Sequence, residues 1–300
     1  MGNDISMGIY AAALTPQNKN LDADVDLLYT HIKWLLSNGC HGVAIFGTTG
    51  EFASFGISER MDVLNAISNT DLPKNRILVG TGCTALTDTV KLSRHAIDNG
   101  FFNILVLPPF YYKSISNKGL FVYFDEIIRQ IGDNRLRLYL YNFPKMTGMN
   151  IDYDLITHLH ALYPKIVIGI KDSSGDLNNM ITLCQQFEDF RVFAGTEVLL
   201  YDLLKAGGAG CISATANITS QLCSAIYTHW KSKDVSALQK HLSVVRMEIE
   251  KYPLIPALKA IMAELSSNKN WLYVRPPHKN LQENEADKLI EILKKLQILI

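Results

Sequence analysis

The chain has 300 residues, 48% apolar and 19% charged, enough to bury a sizeable core as one large α/β domain or two smaller ones. Its 29 Lys plus Arg balance its 29 Asp plus Glu; zero net charge without a basic run argues against nucleic acid or an anionic membrane as partner. Five scattered cysteines (Cys40, Cys83, Cys184, Cys211, Cys223) form no CxxC, which fits reduced thiols in a cytoplasmic protein rather than a disulfide framework. No apolar run approaches a membrane span, and the opening MGNDISMGIY lacks the charged-then-apolar pattern of a leader.

Along the chain, short apolar runs alternate with longer amphipathic stretches. The runs are IYAAAL (9–14), GVAIFG (42–47), RILVGTG (76–82), NILVLPP (103–109), RLYLYN (137–142), KIVIGIK (165–171), RVFAGT (191–196) and GCISAT (210–215). Between the first two, VDLLYTHIKWLLSNG puts Val25, Leu28, Ile32 and Leu35 on one helical face. SNG, DNG and KAGG place Gly39, Gly100 and Gly207 just past helix ends, where a left-handed residue stops a helix. Eight strands, each followed by a helix, predict a (β/α)8 TIM barrel over 1–217. The near-continuous hydrophobicity of the runs fits parallel strands covered on both sides. A doubly wound open sheet competes, but its GxGxxG turn is absent. Residues 218–300 read as helices (SQLCSAIYTHWKSK, DVSALQKHLSVVRMEIEKY, PALKAIMAELSSN and ADKLIEILKKLQILI). They are expected to pack on the barrel or on a neighbouring subunit, the last one capping the barrel or lying in an interface.

In such a barrel the active site lies at the C-terminal ends of the strands. Those ends carry GTTGE (Thr48, Thr49, Gly50, Glu51) after the second strand and PPFYYK (Tyr111, Tyr112) after the fourth. Tyr141 follows on the fifth, Lys171–Asp172 on the sixth, Gly195–Thr196–Glu197 on the seventh and Ile212–Ser213 on the eighth. The set is rich in hydroxyls and holds one lysine and no histidine. His31, His95, His158 and His160 fall in helical segments, which speaks against a metal site. No GxSxG elbow is present.

Lys171 ends an apolar run, where lysine is seldom buried. Such a residue can extend its ammonium to solvent. Alternatively, an amine held in apolar surroundings gives up its proton more readily, attacks a ketone and forms a Schiff base. Gly169, two residues earlier on the same face, would leave room beside its stem. Tyr141, on the neighbouring strand, is either a packing residue or the acid and base such chemistry needs. Thr48 and Thr49 form an ordinary turn before a glycine or a cradle for a carboxylate.

Taken together, GTTGE, YNFPKMTG and GIKDSSGD, in this order and spacing, resemble the dihydrodipicolinate synthase / N-acetylneuraminate lyase family. The resemblance runs from ALTP at 13–16 to RPP at 275–277. It implies a class I, Schiff-base enzyme on an α/β barrel that binds or releases pyruvate or a 2-keto acid through Lys171. Tyr141 is implied as general acid and base, and Thr48 and Thr49 as carboxylate ligands and proton relay. Tyr112, more than Tyr111, is implied to reach into an adjacent subunit, and Gly195 and Ile212 to line the pyruvyl pocket. The resemblance further implies a homotetramer built as a dimer of dimers, with no metal or organic cofactor.

One position departs from the family pattern. Synthases proper carry Arg in YNxPxRTG, where it binds the carboxylate of aspartate semialdehyde; here Met146 stands there. Losing a charge-assisted contact costs about 1.5–3 kcal/mol, and methionine offers no substitute fork. The expectation is a paralogue with a different second substrate, such as a 2-keto-3-deoxy sugar acid. Glu51, Ser54, Phe55, Thr196, Glu197 and Ser213 are then candidates around that substrate. A true synthase, a 2-keto-3-deoxy acid dehydratase and a non-catalytic keto-acid-binding barrel stay open as alternatives.

Overall fold

The computed structural model describes residues 7–187 and 189–299. Its strands are β1 (Gly8–Ala12), β2 (Gly42–Ile45), β3 (Ile77–Gly80), β4 (Asn103–Val106), β5 (Arg137–Asn142), β6 (Val167–Asp172), β7 (Arg191–Ala194) and β8 (Gly210–Ser213). They close into a barrel in chain order. Every pairing is parallel, and β8 returns to β1 with Ile212 opposite Tyr10. Each strand falls on one of the eight apolar runs, β1 starting one residue before its run and β6 ending one residue after, so the (β/α)8 expectation holds.

The helices between and after the strands are α1 (Val25–Ser37), α2 (Ile57–Ser68), α3 (Leu86–Asp98), α4 (Asn117–Ile131), α5 (Pro144–Thr147), α6 (Tyr153–Leu162), α7 (Leu177–Gln186), α8 (Leu200–Lys205) and α9 (Ala216–His229). Their starts follow local chemistry. Asp24, Ser116, Asp152 and Asp176 each accept a backbone N–H of the first turn of α1, α4, α6 and α7, satisfying donors that the helix leaves orphaned. Gly39, Gly100 and Gly207 take positive φ after α1, α3 and α8, as the stop signals required.

Side-chain alternation along the strands sorts the core into layers. Tyr10, Ala12, Ala44, Leu78, Leu105, Tyr139, Phe193 and Ile212 fill the barrel interior. Ile9, Ala11, Val43, Ile45, Val79 and Ile104 face the helices.

The boundary drawn at 217 falls inside α9, the eighth helix of the barrel. Asn217 is a seam residue there: its Nδ2 donates to Ala12 O at 2.8 Å and its Oδ1 accepts Leu14 N–H at 3.2 Å. The added region is α10 (Ser236–Ile249), α11 (Leu254–Ser266) and α12 (Glu283–Lys295). It buries Val245, Ile249, Leu258, Ile261, Trp271 and Leu289 against Leu14, Ala214 and Ile218. Helix α12 seats Leu289 and Leu293 in this cluster and pairs Lys294 with Glu264 of α11, so it packs on the other added helices. No helix among the described residues is long and apolar enough to cross a membrane. Residues 1–6 of the segment read for a leader lie outside the described residues.

Candidate active site

The site is assembled by a register shift. Leu138 pairs with Val167, but Tyr139 pairs with Gly169, so Ile168 is an extra residue on β6. Such a bulge turns every later residue by one position. Tyr141 therefore stands opposite Lys171, and Asn142 opposite Asp172; without the bulge Tyr141 would face Ile170. Lys171 is 3% exposed, and its Nζ lies 4.3 Å from the centroid of the Tyr141 ring. The tyrosine hydroxyl in turn lies 3.3 Å from Thr48 Oγ1, either atom able to donate. The expected space beside Gly169 is occupied: a Cβ there would stand 2.8 Å from the Tyr139 ring and 2.6 Å from Arg191 O. Gly169 thus makes room for Tyr139 packing, not for the lysine stem.

Outward-facing groups fix the ends of these two strands. Buried Asp172 accepts Asn179 Nδ2 at 2.9 Å, Ser174 N–H at 2.7 Å and Asn142 Nδ2 at 3.4 Å. Asn142 Oδ1 accepts Ile151 N–H at 3.0 Å. Gly195 N–H donates to Asp172 O at 2.6 Å, and any Cβ on Gly195 would collide with Ser173. This close approach, rather than a turn, is why glycine stands there. Ile212 is fully buried inside the barrel. Beside Tyr141 a small, mostly apolar cavity is lined by Phe46, Phe52, Gly80, Leu105 and Leu107.

Several rim candidates are placed elsewhere. Ser213 alternates outward from Ile212, and its hydroxyl donates to the Glu197 carboxylate, which also accepts Thr215 Oγ1. Arg246 of α10 completes that group, its Nη1 3.3 Å from Glu197 Oε2. Glu197 and Ser213 are both fully buried. The expectation that they meet a substrate is corrected: the strand period turns Ser213 away from the barrel, and the Glu197 oxygens are already occupied.

Thr196 Oγ1 accepts Val198 N–H at 3.4 Å, a turn cap. Phe55 packs on Phe46 under the Arg275 guanidinium, and Ser54 O accepts Arg275 Nη1. Met146, on α5, is 55% exposed at the mouth. Tyr111 and Tyr112 are 72% and 71% exposed and stack edge to face; neither enters its own chain's site.

Glu51 is also fully buried, against Lys259 Nζ at 2.5 Å, Gln17 Nε2 at 3.0 Å and Arg275 N–H at 3.2 Å. Burial pulls the Lys259 ammonium below the usual lysine range, opposed by the Glu51 charge. Lys259 escaped the sequence reading, although a lysine inside the apolar run IPALKAIMA was a signal for a buried cation. Among the described residues no cluster of three or more His, Cys, Asp or Glu has the geometry to hold a metal ion.

Comparison with known proteins decides the family. The chain matches the dihydrodipicolinate synthetase family over residues 5–296. It belongs to that family. It is 36% identical to an uncharacterized DapA-like lyase of Chloroflexus aurantiacus over 85% of both chains. It is 30% identical to the 4-hydroxy-tetrahydrodipicolinate synthase of Methanopyrus kandleri over 97% of both, and 29% identical to a probable 2-dehydro-3-deoxy-D-pentonate aldolase, YjhH, of Escherichia coli over 87% of both. YagE, a family member from E. coli K12 solved in complex with pyruvate, superposes with a TM-score of 0.88 at 26% identity, covering 97% of this chain and 99% of its own.

Proposed function

We propose that this protein is a Schiff-base, pyruvate-dependent aldolase of the lyase class, cleaving or forming a C–C bond in a 2-keto-3-deoxy, sugar-acid-like substrate. The observation that carries the reading is the contact chain Lys171–Tyr141–Thr48 at the C-terminal end of the barrel. The Lys171 amine adds to the keto carbon, and loss of water leaves a protonated imine. Tyr141 exchanges the protons that addition and dehydration require. The imine withdraws electrons, so the substrate's 4-hydroxyl loses its proton, the C3–C4 bond breaks, and its electron pair enters an enamine. An aldehyde leaves. Protonation of the enamine at C3 and hydrolysis of the imine release pyruvate and restore the amine.

Thr48 and Thr49 would hold the pyruvyl carboxylate, and Gly195 and Ile212 the methyl side of the pocket. The covalent imine removes the need for a metal or organic cofactor. Exposed Tyr112 would complete a neighbouring subunit's site in a cytoplasmic homotetramer. YagE and YjhH support pyruvate and a sugar-acid substrate, respectively. The Met146 position favours the sugar acid over aspartate semialdehyde, because no cation stands there to take the second carboxylate.

Borohydride added with pyruvate, followed by mass spectrometry, is expected to leave a reduced adduct on Lys171 alone. No adduct would end the Schiff-base reading. Cleavage rates across 2-keto-3-deoxy acids, set against condensation with aspartate semialdehyde, decide the substrate. Faster turnover of the semialdehyde would reassign the protein as a synthase.

A further inference from the structure

The turn that carries Thr48 and Thr49 is held from outside the barrel. Glu51 ends it at φ 57°, a left-handed conformation that side chains with a Cβ rarely adopt. Its backbone is braced by Glu51 N–H on Thr48 O at 3.1 Å and by Thr15 Oγ1 on Gly50 O at 2.9 Å. Its carboxylate is gripped by Lys259 of α11, whose ammonium also donates to Tyr273 O at 2.8 Å. The pair is almost completely dry, Lys259 at 1% and Glu51 at 3% overall exposure. A buried ion pair is a poor source of stability compared with apolar residues of the same size. Its presence two residues from Thr49 therefore points to what it does for the turn.

We propose that Lys259 is a positioning residue for the substrate carboxylate. It fixes Glu51, and through it the Thr48–Thr49 turn, and it cancels a negative charge that would otherwise repel the incoming carboxylate. Helix α11 thereby becomes part of the machinery at Lys171. The kinetic half of this claim rests on the function proposed above; the conformational half does not.

The test uses the full chain with Lys259→Met, Glu51→Gln and the double variant. Two quantities are read: hydrogen–deuterium exchange across residues 47–52 relative to β5 and β6, and the pyruvate concentration that half-saturates borohydride trapping. Lys259→Met should raise exchange at 47–52 at least tenfold with β5 and β6 unchanged. It should raise half-saturating pyruvate at least tenfold while leaving the trapped fraction at saturation near wild type. The double variant, with no bare carboxylate left, should recover part of the pyruvate response while exchange at 47–52 stays raised.

Unchanged exchange at 47–52 in folded Lys259→Met overturns the clamp. Equal pyruvate responses in the single and double variants overturn the charge-cancelling role. Should Lys259→Met fail to fold, Glu51→Gln, which keeps the side chain's shape, must itself raise exchange at 47–52 or the clamp is wrong. Should wild type form no adduct, the functional reading falls and exchange alone decides the clamp.

Discussion

Tyr141 is held between two neighbours of different chemistry. Its ring faces Lys171 Nζ and its hydroxyl meets Thr48. Removing the hydroxyl alone separates these roles. Tyr141→Phe keeps the ring, so Lys171 should still be trapped by borohydride at long times, while turnover falls by roughly 10²–10⁴, the usual weight of a positioned acid–base group. Steady-state rates near wild type would move the proton transfer elsewhere. That Lys171, Tyr141 and Thr48 gather at strand ends was legible in the sequence, because such ends are few and each is marked by a break in hydrophobicity. The partners of Glu51 and Glu197 were not legible. A carboxylate at a strand end looks the same whether it meets solvent, substrate or a cation, and Arg246 lies 49 residues from Glu197. The bulge at Ile168 was invisible for a related reason: an unbroken apolar run carries no mark of which residue is the extra one.

Among the elements, the α1–α9 contact has a feature of its own. His31 of α1 donates through Nε2 to Asn217 Oδ1 at 2.8 Å, while its Nδ1 is buried without a partner. Trp271 lies edge-on to its ring at 4.9 Å. Burial holds this imidazole neutral, lowering its pKa from 6.5 to about 4. The unfolded chain therefore binds a proton that the folded chain refuses between about pH 6.5 and pH 4. Stability should fall as pH drops through that window, by roughly 3 kcal/mol in all from this group, and level off below it. Urea midpoints at pH 7 and pH 4.5 measure the effect. His31→Gln, which can still donate to Asn217, should flatten the difference; an equally steep loss would assign it to other groups. Helix α11 shows the same division of legibility as the barrel. Its apolar run marked it as buried, and Ile255 through Met262 are all buried, but only the three-dimensional contacts show that Lys259 is buried with them.

For the whole molecule, the exposed pair Tyr111 and Tyr112 bears on assembly. If Tyr112 acts across a subunit boundary, Tyr112→Phe and Lys171→Ala are defects in different parts of one site. Unfolded together and refolded as a mixture, the two variants should recover activity that neither has alone. A mixture no more active than its parents would confine Tyr112 to its own subunit or to the surface. Barrel and helices were legible as a whole because eight repeats of the same pattern reinforce one another. The boundary at 217 was misplaced because nothing local distinguishes the helix that closes a barrel from the helices added after it.

The closure of β1 on β8 has a consequence for how the chain is made. Ile9 pairs with Cys211, so the barrel's first strand has one of its two partners about 200 residues later in the chain. At about 5–20 residues per second, β1 waits roughly ten to forty seconds for it. Throughout that wait the growing sheet carries two open edges, the kind of surface on which chains pair with one another. Only when β8 arrives and Asn217 bridges to Ala12 and Leu14 do both edges vanish at once. Yield during synthesis should therefore be governed by the speed of translation and by chaperones that cover the open edges, as well as by the stability of the finished barrel.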